Sequence, residues 1–149
     1  MKQNYTFANP GIYVATLNVT DSAGNYNTGT VTITVKDATA PVADAGLNKT
    51  AQVNTEVSFD ANGSSDNVGI TSYEWNFGDG ATATGATATY TYASPGTYTV
   101  TLTVRDAAGN TDTHQITVTV REALPTWMIA IGIASLSTAI VTLLLRRSR

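Results

Sequence analysis

Tyr73-Glu74-Trp75-Asn76-Phe77-Gly78-Asp79-Gly80 carries the strongest structural signal in this chain. Its aromatic residues alternate with Glu74 and Asn76. Successive side chains of a strand point to opposite faces, so Tyr73, Trp75 and Phe77 share one face. Three large aromatics buried together are enough to organise a small core. The run stops at Gly78-Asp79-Gly80, residues that tolerate positive φ and form tight turns. The octet therefore reads as a central strand running into a hairpin turn. It is not a phosphate-binding loop, because neither a Lys nor a helix signal follows it.

Short alternating segments lie on both sides. Val57 and Phe59 alternate with polar residues over 56–60, and residues 63–67 read as a polar loop. Tyr90 and Tyr92 mark a strand over 87–92. Tyr98, Val100, Leu102 and Val104 alternate strictly with threonines, and Ile116, Val118 and Val120 close the series. Six or seven short strands separated by turn signals predict an all-β fold, a sandwich of two sheets. Abundant Thr suits strands. The chain has no Cys, which removes disulfides and thiolate metal sites.

The sequence also repeats. Tyr5-Thr6-Phe7-Ala8-Asn9-Pro10-Gly11-Ile12-Tyr13 matches Tyr90-Thr91-Tyr92-Ala93-Ser94-Pro95-Gly96-Thr97-Tyr98 at an offset of 85 residues. The offset holds without a gap, so Leu17, Val19, Asp21, Gly24, Asn25 and Val35 fall on Leu102, Val104, Asp106, Gly109, Asn110 and Val120. Such self-similarity marks tandem copies of a whole domain. Residues 1–37 are then the C-terminal half of one copy, and residues 38–122 are a complete copy. Two or three strands are marginal alone. The half copy thus predicts a longer parent protein whose upstream segment supplies the other half and an export signal.

The octet resembles the signature of the PKD domain family, an immunoglobulin-like β-sandwich. That family usually reads Trp-Asp-Phe-Gly-Asp-Gly, and here Asn76 stands where Asp is common. Pro41-Val42-Ala43-Asp44-Ala45-Gly46 and Ser94-Pro95-Gly96-Thr97-Tyr98 are similar to PKD sequence as well. The resemblance covers residues 38–122 and the half copy before them, and it implies a PKD-type sandwich. Some members of the family bind calcium near the loops corresponding to Ser64-Ser65-Asp66 and Asp106. This makes Asp44, Asp66 and Asp106 candidate ligands for Ca²⁺, a hard cation that takes oxygen donors from several loops. The same carboxylates have a second reading as turn formers that bond their own backbone.

A linker at 123–126 leads to residues 127–145, which carry no charge. As a helix rising 1.5 Å per residue they span about 28 Å, close to the roughly 30 Å of bilayer hydrocarbon. Arg146, Arg147 and Arg149 form a basic tail at 146–149. The positive-inside rule places that tail in the cytoplasm and the β region outside, as in a single-pass cell-membrane protein. Before Ala123, five Lys or Arg face eleven Asp or Glu, a balance of −6. So acidic a region offers no basic face to nucleic acid.

Other chemistry is sparse. His114 is the sole histidine, and no nucleophile motif accompanies it, so a structural role is expected. Asn4, Asn18, Asn48 and Asn62 each begin an Asn-x-Ser/Thr glycosylation acceptor. The expectation is a non-enzymatic surface module, a structural or adhesive stalk contacting extracellular protein or glycan. Cysteine-free PKD units with such a tail are similar to archaeal or bacterial surface proteins. The rival is the accessory PKD region of a secreted hydrolase whose catalytic domain lies upstream. A sortase-type sorting tail ranks below both, because Leu124-Pro125-Thr126 is a poor match to such motifs.

Overall fold

The computed structural model describes residues 3–124. Nine strands and no helix occur in that span. They are β1 (Gly11–Thr20), β2 (Tyr26–Val35), β3 (Lys49–Gln52), β4 (Glu56–Asp60), β5 (Ile70–Asn76), β6 (Thr82–Thr84), β7 (Thr87–Thr91), β8 (Gly96–Asp106) and β9 (Thr111–Arg121). The apolar segment at 127–145 and the basic tail lie outside the described residues. Among the described residues, no helix is long and apolar enough to cross a membrane.

Residues 41–121 form a sandwich. One sheet has the order β3-β9-β8-β5-β6, and the other pairs β4 with β7. The β8–β9 hairpin is antiparallel, and β3 joins it in parallel along β9. Period-two alternation decides what goes inside. Val57 and Phe59 of β4, Trp75 of β5, Val100, Leu102 and Val104 of β8, and Ile116, Val118 and Val120 of β9 are all buried. Their polar neighbours are exposed or half-buried.

The aromatic octet sits at the centre. Trp75 and Phe77 are fully buried and Tyr73 is half-buried. Phe59 lies 5.4 Å from the Trp75 ring and 5.3 Å from that of Phe77, and Phe77 stacks on Tyr90 at 4.2 Å. The polar ends of the large rings are satisfied. Trp75 Nε1–H donates to the Gly85 carbonyl (3.0 Å), and the buried Tyr92 hydroxyl donates to that of Phe77 (3.0 Å).

The turn after Phe77 explains the rest of the motif. The Phe77 N–H donates to Ala81 across it (3.0 Å). Gly78 has φ +85°, and a Cβ built on it would stand 2.5 Å from the Thr99 carbonyl oxygen. Only glycine permits both the left-handed backbone and that approach to β8. Asn76 Oδ1 accepts the Gly78 N–H (2.9 Å), a task that the oxygen of an amide or a carboxylate performs alike. The departure from the usual Asp is therefore neutral for the turn. Asp79 is exposed, accepts the Ala81 N–H (3.1 Å), and takes a hydrogen bond from the Tyr90 hydroxyl (2.7 Å).

Strands β1 and β2 form a separate two-stranded sheet. Its register reproduces that of β8–β9 at the 85-residue offset: Tyr13 faces Ile33 as Tyr98 faces Val118, and Leu17 faces Gly29 as Leu102 faces His114. Even the tyrosine bonds repeat, from Tyr13 to the Asn9 carbonyl (2.8 Å) and from Tyr98 to that of Ser94 (2.9 Å). Burial does not repeat. Leu17 is 66% exposed where Leu102 is 0% exposed.

Candidate metal centre

Three carboxylates meet at one end of the sandwich. Asp106 closes β8, Asp66 lies in the β4–β5 loop, and Asp37 lies two residues beyond the end of β2. One oxygen from each falls within 4.8 Å of the others.

Local sequence fixes each of them. Asp106 begins the turn Asp106-Ala107-Ala108-Gly109-Asn110, and its Oδ1 accepts the N–H groups of Gly109 (2.7 Å) and Asn110 (2.8 Å). Its Oδ2 accepts from Asn110 Nδ2 (2.7 Å), and the residue is only 2% exposed. Burial pushes its pKa up, but the Asn110 side chain and the turn's N–H donors outweigh that and hold it below the usual carboxylate value. A register shift in β5 between Ile70 and Ser72 lets the Thr71 hydroxyl bond the Asp106 carbonyl (2.9 Å), which anchors the turn to the neighbouring strand. Asp66 Oδ2 accepts the N–H groups of Val68 (2.9 Å) and Gly69 (2.7 Å). Asp37 Oδ1 accepts from the Thr39 N–H (3.0 Å) and from Asn67 Nδ2 (3.3 Å).

The remaining oxygens are the informative ones. Asp37 Oδ2 and Asp66 Oδ1 are buried with no hydrogen-bond partner. Buried polar atoms are normally paired, and an orphaned carboxylate oxygen carries a full desolvation penalty. Among the described residues, no Lys or Arg makes an ion pair with the trio. Like charges face one another across this 4.8 Å spacing. An all-oxygen donor set with unspent lone pairs suits a hard divalent cation such as Ca²⁺.

Asp66 and Asp106, both expected from the sequence, thus come together, whereas Asp44 lies elsewhere. Asp44 Oδ1 accepts the Gly46 N–H (2.8 Å), and the Asp44 N–H donates to Ser64 Oγ (2.9 Å). His114 Nδ1 is 3.7 Å from Asp44 Oδ1, but it accepts the Ala45 N–H at 2.9 Å. A nitrogen that accepts carries no proton, so this contact is not an ion pair. The histidine acts as a fastener for the 41–46 segment, as does Asp112, whose Oδ2 accepts the Ala43 N–H (2.8 Å). The sequence reading missed Asp37. Its signal was present: the offset of 85 sets Val35-Lys36-Asp37 on Val120-Arg121-Glu122, an acid after each hairpin. The four glycosylation candidates Asn4, Asn18, Asn48 and Asn62 are all exposed, and Asn48 Oδ1 also accepts the Thr117 N–H (2.8 Å).

Known proteins share this architecture. The family model for the PKD domain matches residues 38–120. Collagenase ColA of Bacillus cereus is 41% identical over 88 residues, 58% of this chain and 9% of the collagenase. The chain thus spans about a tenth of that relative's length. The solved PKD1 domain of the Vibrio cholerae metalloprotease PrtV is 42% identical with a TM-score of 0.50, covering 57% of this chain and all of that one. A structure described under the promiscuous specificity of carbohydrate-binding modules of the β-sandwich superfamily is 35% identical with a TM-score of 0.54, covering 58% of this chain and 36% of the other. The sandwich, its aromatic octet and the matched family model lead to one conclusion: this chain belongs to the PKD domain family.

Proposed function

We propose that this chain is a non-catalytic, membrane-anchored surface module in which PKD units stand in series and contact extracellular protein or glycan. The observation that carries this reading is the β1–β2 hairpin, which repeats β8–β9 in sequence, register and tyrosine bonding. Units of one design follow one another along the chain, as a spacer or stalk requires. The uncharged segment 127–145 and the basic residues after it supply the anchor. The carbohydrate-binding structure among the solved neighbours supports glycan as one contact class. Asp37, Asp66 and Asp106 would hold the Ca²⁺ that the family implies, and the orphaned oxygens of Asp37 and Asp66 fit it. When bound, the ion's two positive charges would offset two of the three carboxylate charges.

Protease added to intact cells tests the topology. The β region should be digested, leaving a small membrane-embedded tail. Protection of the β region until lysis overturns the orientation. The match to a collagenase favours a second reading, an accessory region of a hydrolase. The coding sequence ahead of the Met1 codon separates the two: a catalytic domain there supports the hydrolase, and further PKD units support the stalk.

A further inference from the structure

We infer that Asn62-Gly63 is a site of spontaneous, backbone-assisted deamidation, and that the reaction loosens the 41–46 segment from the turn that holds it. Asn62 is the one asparagine of the chain followed by glycine. The two residues lie in the exposed turn after β4, closed by the Ser64 N–H donating to the Ala61 carbonyl (2.9 Å). Among the described residues, neither the Asn62 side chain nor the Gly63 N–H has a hydrogen-bond partner. Both reacting groups are therefore unengaged, and glycine has no Cβ to shield its nitrogen or restrict its approach.

Packing demands the glycine. A Cβ built on Gly63 would overlap Asp44 Oδ2 and stand 3.1 Å from its Cγ. Asp44 is held in place, since its Oδ1 accepts the Gly46 N–H (2.8 Å) and its N–H donates to Ser64 Oγ (2.9 Å). The contact that fastens 41–46 to the turn thus also leaves the Asn62 amide beside an unshielded nitrogen. Two other positions show what is special here. Asp79-Gly80 has the same following glycine, but its carboxylate is tied to the Ala81 N–H (3.1 Å) and the Tyr90 hydroxyl (2.7 Å). Asn18 is exposed too, but it lies within β1 and is followed by β-branched Val19.

In the reaction the Gly63 nitrogen loses its proton to solvent base and attacks Asn62 Cγ. A new C–N bond closes a five-membered succinimide, and Nδ2 takes up a proton and leaves as ammonia. Water then opens the ring at either carbonyl, giving aspartate or isoaspartate. Both products place a negative charge beside Asp60, whose Oδ1 accepts the Asn62 N–H (2.8 Å). Isoaspartate also adds a methylene to the backbone between Ala61 and Ser64. That displaces Ser64 from the Asp44 N–H, and with it Ser65, which exchanges two backbone bonds with Val42 (2.8 and 3.0 Å). Either product erases the Asn62-Gly63-Ser64 glycosylation acceptor.

The test ages the full-length chain, in detergent and mildly alkaline buffer, and maps its tryptic peptides by tandem mass spectrometry. Melting of the sandwich is followed in parallel by Trp75 fluorescence. Asn62 should lose its amide, mostly to isoaspartate, while Asn18, Asn67 and Asn76 keep theirs, and the melting temperature should fall as conversion proceeds. Asn62→Gln keeps an amide but cannot close the five-membered ring, so its melting temperature should hold through the same ageing. Conversion at Asn62 no faster than at Asn18, or conversion only in urea, overturns the site whatever the variant does. Conversion with an unchanged melting temperature, or with an equal fall in Asn62→Gln, overturns the loosening and leaves the site standing.

Discussion

Gly78→Ala and Gly80→Ala form a matched pair that isolates one contact. Both glycines have positive φ, +85° and +99°. A side chain in that region costs about 1–2 kcal/mol through its Cβ. Gly80 has open space around it, so its alanine variant should lose only that amount. At Gly78 the new methyl would meet the Thr99 carbonyl at 2.5 Å and the Thr99 nitrogen at 3.0 Å, both backbone atoms of a central strand. Relief requires moving β8 away from the turn, a crowding cost of about 1–3 kcal/mol. Gly78→Ala should therefore cost about 2–5 kcal/mol against about 1–2 kcal/mol for Gly80→Ala. For a domain of this size each kcal/mol lowers the melting temperature by about 4–8 °C. Thermal melts followed by the fluorescence of buried Trp75 measure the difference. Equal losses for the two variants would refute the close approach to Thr99 as the reason for glycine at position 78.

Two further outcomes follow from the same structure. Trp75→Ala removes a fully buried ring and the donor to Gly85, and should cost about 3–5 kcal/mol. Asp79→Asn keeps an acceptor for the Ala81 N–H at an exposed turn and should cost about 1 kcal/mol or less, so the reverse order in urea unfolding would overturn the assignment of β5. Asp112 is held below its ordinary pKa by the Ala43 N–H first, and Asp106 by its turn donors against the effect of burial. A depressed folded pKa gives stability that is present above the unfolded value near 4 and lost as pH falls through the folded value. Melting temperature should hold between about pH 7 and 5 and drop below about pH 4, and Asp112→Asn should flatten that drop; an unaltered acid limb in the variant would exclude Asp112 from it.

Much of the sandwich was legible because burial on one face of a strand writes itself as alternation. Strands β4, β5, β7, β8 and β9 all carry it. Two strands did not announce themselves. Lys49-Thr50-Ala51-Gln52 has little apolar content and becomes β3 by pairing with β9, while β6 is only three residues long, at the edge beyond β5. Tertiary pairing makes such strands, and local pattern is silent about it. The metal centre was half legible for a related reason. Asp66 and Asp106 sit in turns that their own sequences encode, Asp106 through Gly109 and Asn110. Asp37 takes its place only because the connection from β2 folds back over Asn110, 71 residues beyond Thr39. Asp44 occupies an equally turn-like sequence, yet its bonds to Ser64 and Gly46 leave it outside the trio.

The β1–β2 hairpin separates what local sequence does from what the rest of a domain does. It has the strand pattern, the register, the Asp21–Asn25 turn and the tyrosine bond of β8–β9. All of these contacts lie within residues 9–35. Burial needs more. Val100, Leu102, Val104, Ile116 and Val118 are covered in a sandwich that also contains Phe59, Trp75 and Phe77 from β4, β5 and the turn after it. Their equivalents Leu17, Val19 and Val31 stay exposed, because among the described residues β1 and β2 pair only with each other. Apolar area left in water contributes nothing at roughly 25 cal/mol per Å², whatever its pattern. What covers β8 and β9 is the octet at 73–80 together with Val57, Phe59 and Tyr92, and among the described residues no equivalent set covers β1 and β2.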